Sequence, residues 1–298
     1  MRVEYREEAC RSALNRVRGM PFAWSLNPYT GCVHRCTFCY VRAFELRADR
    51  PSDDRYGLSI RVKVNVAELL AREVSRPSWR HEQIAIGAAT DPYQPCEGRY
   101  RLTRSCIEVL GRAATPFSII TRGPLIVRDV DVLREAASRT QVSVMFSVPT
   151  LDHDVWKTTE PGTSPPRQRL RALTELVDAG IDAGVGMAPI LPGLSDRPEQ
   201  LAAVVKAVRA AGATGVWANL LYLKPGTKEH FLEALARDWP EQLEQYEQLY
   251  AERAYLPRSE VDPVRDRVRR LAREHGVRDR RAHRLAPPPE PEQLTLGV

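Results

Sequence analysis

QIAIGAATDPYQPCEGRYRLTRSCIEVLGRAATPFSIIT, residues 83–121, is the stretch whose reading decides the fold. Its ends, QIAIGAAT at 83–90 and FSIIT at 117–121, are short apolar and β-branched runs of strand length. Between them Thr103–Ala113 repeats its apolar residues at helical spacing. Gly, Pro and Asp gather in the loop after the first run, where the backbone has to turn. Strand, helix and strand in this order make a βα unit, whose two strands run parallel.

The same alternation extends from Trp24 to about Leu223. Further strands are expected at AWSLNPYT (23–30), VSVMFSV (142–148), DAGVGMAPI (182–190) and GVWANLLYL (215–223), which makes six. Further helices are expected at Val66–Val74, Val130–Ser138, Arg167–Ala179 and Pro198–Ala210, with Asp196 as a cap before the last. With 298 residues and roughly 150 per domain, two domains or one barrel with additions would fit, and the unbroken alternation favours one barrel-like domain. The expected division is an N-terminal extension at 1–23, the α/β barrel at 24–228, a helical region at 229–285 and a disordered, Pro-rich tail at 286–298. The helical region should include Pro240–Ala251 and a basic helix over Val264–Arg284.

A composition of 43% hydrophobic and 28% charged residues can bury a core and excludes global disorder. No apolar run approaches the roughly 18 residues of a membrane span, and MRVEYREEAC is too charged for a signal peptide, so a cytoplasmic protein without a membrane partner is expected. Cysteines in that compartment are reduced thiols. In NPYTGCVHRCTFCYVRAF (27–44), Cys32, Cys36 and Cys39 have the spacing Cys-x3-Cys-x2-Cys, which a single tight loop can wrap around one metal centre. Ordinary ferredoxin clusters use four cysteines. Three leave one iron open, and an open coordination position is where a substrate or cosubstrate binds. The alternative is a Cys3His zinc site with His34, although one intervening residue between His34 and Cys36 suits zinc geometry poorly.

Cys-x3-Cys-x-Phe-Cys, with Phe38 at the aromatic position, resembles the signature of radical S-adenosylmethionine (SAM) enzymes. The resemblance implies an enzyme in which Cys32, Cys36 and Cys39 bind a [4Fe–4S] cluster whose open iron chelates the methionine part of SAM. One electron, supplied by a flavodoxin or ferredoxin-type donor, then yields a 5′-deoxyadenosyl radical that abstracts hydrogen from substrate. Beyond the triad, ATDPYQPCEGRYRLTR, SIITRG, FSV, EPGTSPPRQRL and GMAPILPG resemble successive motifs of the spore photolyase-like group over about residues 24–225. That resemblance implies a partial (β/α)6 TIM-type barrel with the cluster at the carboxyl ends of the strands, as in barrel enzymes generally. It also implies cosubstrate contacts at Phe38, Thr90, Asp91, Arg122 and Ser147, with Arg122 standing where the group has Lys. Asp91, Ser147 and the Glu160-Pro161-Gly162 turn have a second, purely local reading as caps and turn chemistry. One departure stands out: where the group carries the cysteine that returns a hydrogen to the product radical, this chain has Ala88, and Cys96 in the same loop is the substitute donor on offer.

The net charge of +6 permits a polyanionic partner. Residues 252–285 hold eleven Arg and no Lys against six acidic residues, a balance of 11 − 6 = +5. A radical enzyme acting on nucleic acid is the first reading. Radical modification of a protein or small metabolite is the second, and a non-enzymatic iron–sulfur module the third. The tail EQLTL, through Gln293, Leu294 and Leu296, resembles the short peptide by which bacterial repair proteins dock on the DNA sliding clamp, but has Gly297 where the peptide's aromatic residue belongs.

Overall fold

A computed structural model describes residues 3–279 of the chain. Six strands, β1 (Trp24–Leu26), β2 (Ile84–Ile86), β3 (Phe117–Thr121), β4 (Val142–Ser147), β5 (Asp182–Ile190) and β6 (Gly215–Leu220), pair in parallel, each with the next. β1 and β6 lie towards opposite ends of the sheet, with no hydrogen-bonded pairing between them. The architecture is thus the expected partial (β/α)6 barrel. β2 and β4 are buried along nearly their whole length, as parallel strands covered on both faces must be. Helices at Val66–Val74, Leu102–Arg112, Val130–Ala137, Pro166–Asp178 and Pro198–Ala210 fall between successive strands, close to the expected spans. In Leu102–Arg112 the buried apolar stripe is Leu102, Cys106, Ile107, Val109 and Leu110, the i, i+4 face turned to the core.

The expected strand AWSLNPYT is two strands in two sheets. Trp24–Leu26 joins the barrel, whereas Tyr29–Thr30 pairs antiparallel with Ser59–Lys63 in a separate three-stranded sheet. The break falls at Asn27-Pro28: Pro28 has no N–H for a ladder, and Asn27 Oδ1 accepts instead from Ala89 N at 2.8 Å. The leading residues are strands as well. Glu4–Glu8 runs parallel to Ser59–Lys63 as a charged, exposed edge, and Leu14–Arg16 adds antiparallel to β1.

After the barrel come helices at Lys228–Asp238, Leu243–Leu249 and Arg258–Glu274. The last of these corrects the expected basic helix, which was to run to Arg284. It stops where Val277 N turns back to Ala272 O at 2.8 Å, and Arg278–Asp279 then pairs with β6. Asp196 likewise does not cap its helix: its Oδ1 accepts from Gly193 N, and the cap position is Arg197. Among the described residues no helix is long and apolar enough to cross a membrane. The tail at 286–298, including Gln293, Leu294 and Leu296, lies outside the described residues.

Glu73, on the helix Val66–Val74, fastens the leading segment by accepting from Ala13 N at 3.0 Å and Leu14 N at 2.9 Å. Because the acceptor is ionised, Glu73→Ala should cost roughly 1.5–3 kcal/mol, read as a lower urea midpoint. Amide exchange at Ala13 and Leu14 should quicken while β3 to β5 stay protected.

Candidate active site

Gly31 to Tyr40, the loop that carries the three cysteines, has no regular secondary structure, so its backbone groups must find partners elsewhere. Neighbouring elements supply them. Thr90 Oγ1, in the loop after β2, donates to Gly31 O at 2.6 Å, and Gln94 Nε2 to the same oxygen at 3.2 Å. Gln94 Oε1 accepts from Val33 N at 3.1 Å. From the far side Thr37 N donates to Thr159 O and Gly162 N to His34 O. Two glycines make room for this contact: a Cβ at Gly162 would lie 2.4 Å from Val33 O, and one at Gly57, whose φ is +79°, 2.3 Å from Cys32 O. The Glu160-Pro161-Gly162 segment is therefore more than a local turn, since the cysteine loop rests on it.

Asp91 joins three elements. Its carboxylate accepts from Thr121 Oγ1 at 2.7 Å, Tyr93 N at 2.9 Å and Arg122 N at 2.7 Å, and faces His34 Nδ1 at 3.3 Å. Burial alone would raise its pKa, but the facing His34 and these donors outweigh it and bring the value to about 2. Beyond Asp91, Glu160 lies between two arginines. Its Oε2 is 2.5 Å from Arg169 Nη2 and 3.3 Å from Arg122 Nε, and all three groups are deeply buried or nearly so. Arg169 also donates to Ser147 O and Ser164 O, which anchors the end of β4. Burial would raise the Glu160 carboxyl, and its two guanidinium neighbours hold it below the ordinary value instead. Arg122 reaches Ala188 O and lies over the Phe38 ring, 5.7 Å from its centroid.

Cys32 and Cys36 are buried, Cys39 half-buried, and Cys32 and Cys39 pack in one cluster with Tyr56. Burial pushes the Cys36 thiol up to about 12 and the Cys32 thiol up as well, so a cationic centre is what would keep both as thiolates. Among the described residues no three His, Cys, Asp or Glu side chains converge on a point that would hold a single ion. His34 is turned to Asp91, which leaves a Cys3His zinc site without its fourth ligand. Three thiols spaced around a loop suit a cluster in which each binds a different iron, and the residues present fit that group.

Of the residues singled out in the sequence, Thr90 and Asp91 have their side chains committed to protein partners, whereas Arg122 belongs to the Arg122–Glu160–Arg169 group, with Phe38 beneath its guanidinium and Ser147 O bound by Arg169. Cys96 is buried beside the short helix Glu97–Tyr100, where burial and then the Glu97 and Asp91 charges push its thiol up to about 12. Gln94 and Arg169, which fall within quoted motifs, carry site contacts that spacing did not reveal. Arg42 also falls within the quoted cysteine stretch without a role read for it there, and Tyr56 lies outside every quoted motif.

The depressed Asp91 pKa has a pH consequence. Its stabilisation is complete above the ordinary value of 3.8 and disappears as pH falls towards about 2. Asp91→Asn should therefore cost roughly 2 kcal/mol in urea unfolding at pH 7, and the gap to wild type should narrow between pH 5 and pH 3.

Comparison with known proteins agrees with this geometry. The chain is 39% identical over 289 residues to an uncharacterized protein of Mycobacterium tuberculosis, covering 96% of this chain and 84% of that one. It is 29% identical over 224 residues to an uncharacterized protein of Acidianus two-tailed virus, 71% of each chain. Among solved structures, a spore photoproduct lyase mutant with bound AdoMet and dinucleoside spore photoproduct superposes with a TM-score of 0.71 over 91% of this chain and 79% of that one, at 17% identity. At that identity the likeness is one of fold. The Radical SAM superfamily model matches residues 26–205, from the end of β1 through the cysteine loop and the Asp91, Arg122 and Glu160 contacts. With its three-cysteine loop at the mouth of a partial barrel, the chain belongs to the radical SAM superfamily, the enzymes that pair a [4Fe–4S] cluster with S-adenosylmethionine.

Proposed function

We propose that this radical SAM enzyme acts on a nucleobase-bearing substrate, with nucleic acid as the class. Cys32, Cys36 and Cys39 would hold the cluster, which when bound delivers one electron to SAM and releases a 5′-deoxyadenosyl radical and methionine. Thr90, Gln94 and Asp91 hold the cysteine loop rigid against the loop after β2. Arg122 and Ser147 are the groups we assign to the cosubstrate. A guanidinium and a hydroxyl suit its carboxylate and ribose, while Glu160 and Arg169 keep Arg122 in place. Phe38, under the Arg122 guanidinium, excludes water from the same corner.

The observation that carries the substrate class is an aromatic lip beyond β6. Tyr222 and Tyr255 stack with ring centroids 5.1 Å apart and planes 15° from parallel, and Lys224 Nζ lies 5.7 Å from the Tyr255 centroid. Tyr40, next to Cys39, lies 5.9 Å from Tyr222, which links the lip to the cysteine loop. Tyr255 is 57% exposed. Exposed aromatic faces beside a cation are what unstacked bases and their phosphates bind to. The lyase that shares the fold binds a dinucleoside photoproduct, and only that broad class is carried over here.

Ala88 sets this chain apart from spore-type repair. Its carbonyl accepts from the Tyr40 hydroxyl, and its methyl offers no hydrogen to a product radical. The same loop's Cys96 packs beside Glu97.

With anaerobically reconstituted protein, SAM and dithionite should give 5′-deoxyadenosine and methionine, and Cys36→Ala should lose both iron and cleavage. Deuterium from labelled DNA should appear in the 5′-deoxyadenosine. Transfer only from labelled peptides or metabolites would move the substrate to those classes. Spore photoproduct itself should be reversed inefficiently, with products uncoupled from SAM consumed; efficient stoichiometric reversal would show that Ala88 does not limit the reaction.

A further inference from the structure

Tyr56 lies in RPSDDRYGLS, between the short helix Arg42–Arg47 and the strand Ser59–Lys63. It is 3% exposed, packs with Cys32 and Val41 and against Cys39, and has its hydroxyl 3.7 Å from Cys39 Sγ. Its place is built from several sides. The Gly57 backbone is pressed on Cys32 O, Arg35 Nη2 donates to Asp54 O at 2.6 Å, and Arg42 Nη1 donates to Ser52 O at 2.6 Å and Asp53 O at 2.7 Å. The Arg42 guanidinium also lies over the Tyr56 ring, 4.7 Å from its centroid.

Arg42 is only 1% exposed, yet among the described residues no carboxylate lies within ion-pair distance of it, and its Nε has no hydrogen-bond partner. Arg169, equally buried, has Glu160. A buried guanidinium without an anion is costly, so the anion it answers to should be nearby. The cysteine loop is where the geometry places it: Arg42 N donates to Cys39 O at 3.1 Å, and its guanidinium covers the ring whose hydroxyl meets Cys39 Sγ.

We propose that Tyr56 and Arg42 are positioning residues that set the reduction potential of the cluster: Tyr56 O–H donates to the Cys39 thiolate, and Arg42 supplies a buried counter-charge beside it. The inference rests on the reading that Cys32, Cys36 and Cys39 bind the cluster. A metal-bound Cys39 has no proton to give, so the hydroxyl is the donor. The proton stays on Tyr56. In the one-electron reduction the external flavodoxin or ferredoxin-type donor is oxidised as the cluster is reduced, and the centre becomes more negative by one charge. A donated hydrogen bond and a neighbouring cation both favour that more negative state and raise the potential.

The test is an EPR-monitored redox titration of reconstituted wild type and Tyr56→Phe, each first assayed for iron. Tyr56→Phe keeps the ring and its packing and removes only the donor. The expected result is four irons per chain in both, with the equilibrium constant for reduction about tenfold lower in the variant, a midpoint lower by 59 mV for one electron. Arg42→Met should lower it further, and Arg42→Lys less than Arg42→Met. Should the variants fold poorly, wild type alone suffices: pulsed ENDOR of its reduced state should show a coupled proton that exchanges in D2O. A fully loaded Tyr56→Phe with an unchanged midpoint, or a wild type without such a proton, would overturn the proposal. A wild type that takes up no four-iron cluster would overturn the reading beneath it, and the iron assay reveals that before any titration.

Discussion

Ten buried or half-buried residues without a helix or a ladder, Gly31 to Tyr40, carry the three thiols of Cys32, Cys36 and Cys39 and have to be held in place from outside. Backbone N–H and C=O groups that find no regular partner in a buried loop must be satisfied one by one. Here Thr90 and Gln94, from the loop after β2, and Thr159 and Gly162, from the segment that follows β4, do so. The requirement reaches outward from the loop. It explains why Gly57 and Gly162 cannot carry a Cβ, and why Thr90 and Gln94 are aimed at the backbone of the cysteine loop.

Charge placement follows the same economy of position. Asp91 accepts from donors on three elements, and Glu160 is shared by Arg122 and Arg169, so each buried carboxylate has more than one partner. Buried ions are tolerable on those terms and are strongly destabilising when a partner is lost. Because Arg169 also anchors Ser147 O and Ser164 O, the Glu160 group ties the end of β4 to the cysteine loop and to Arg122 after β3. Arg42 breaks the pattern, with carbonyls and an aromatic face as partners and, among the described residues, no carboxylate.

Much of this was legible in the sequence. The six parallel strands and the helices between them announced themselves by period, because parallel strands covered on both faces are apolar along their length. Elements held by pairing rather than burial were not visible. Glu4–Glu8 is a charged, exposed strand that exists because it finds Ser59–Lys63, whose Ile60 and Val62 are buried, and nothing in EYREE marks it as one. The basic helix was overextended for the opposite reason. Arg and Asp continue past Glu274 in a helix-compatible pattern, but Arg278 pairs with Gly215 on β6.

Cys-x3-Cys-x2-Cys, with Phe38 before the last cysteine, was by itself enough to point to the superfamily that the chain belongs to and to the three cysteines proposed to hold its cluster, since that signature depends on residue type at short range. Thr90, Asp91, Arg122 and Ser147 could be put forward as cosubstrate contacts from the resemblance of their motifs, but their contacts could not be given. Only the tertiary structure decided that Thr90 and Asp91 brace the loop, that Glu160 joins Arg122 to Arg169, and that Tyr56, seventeen residues beyond Cys39, rests its hydroxyl on that sulfur. Those relations are set by the parallel packing of the strands, which brings residues far apart in the chain within hydrogen-bonding distance and leaves no trace in local spacing.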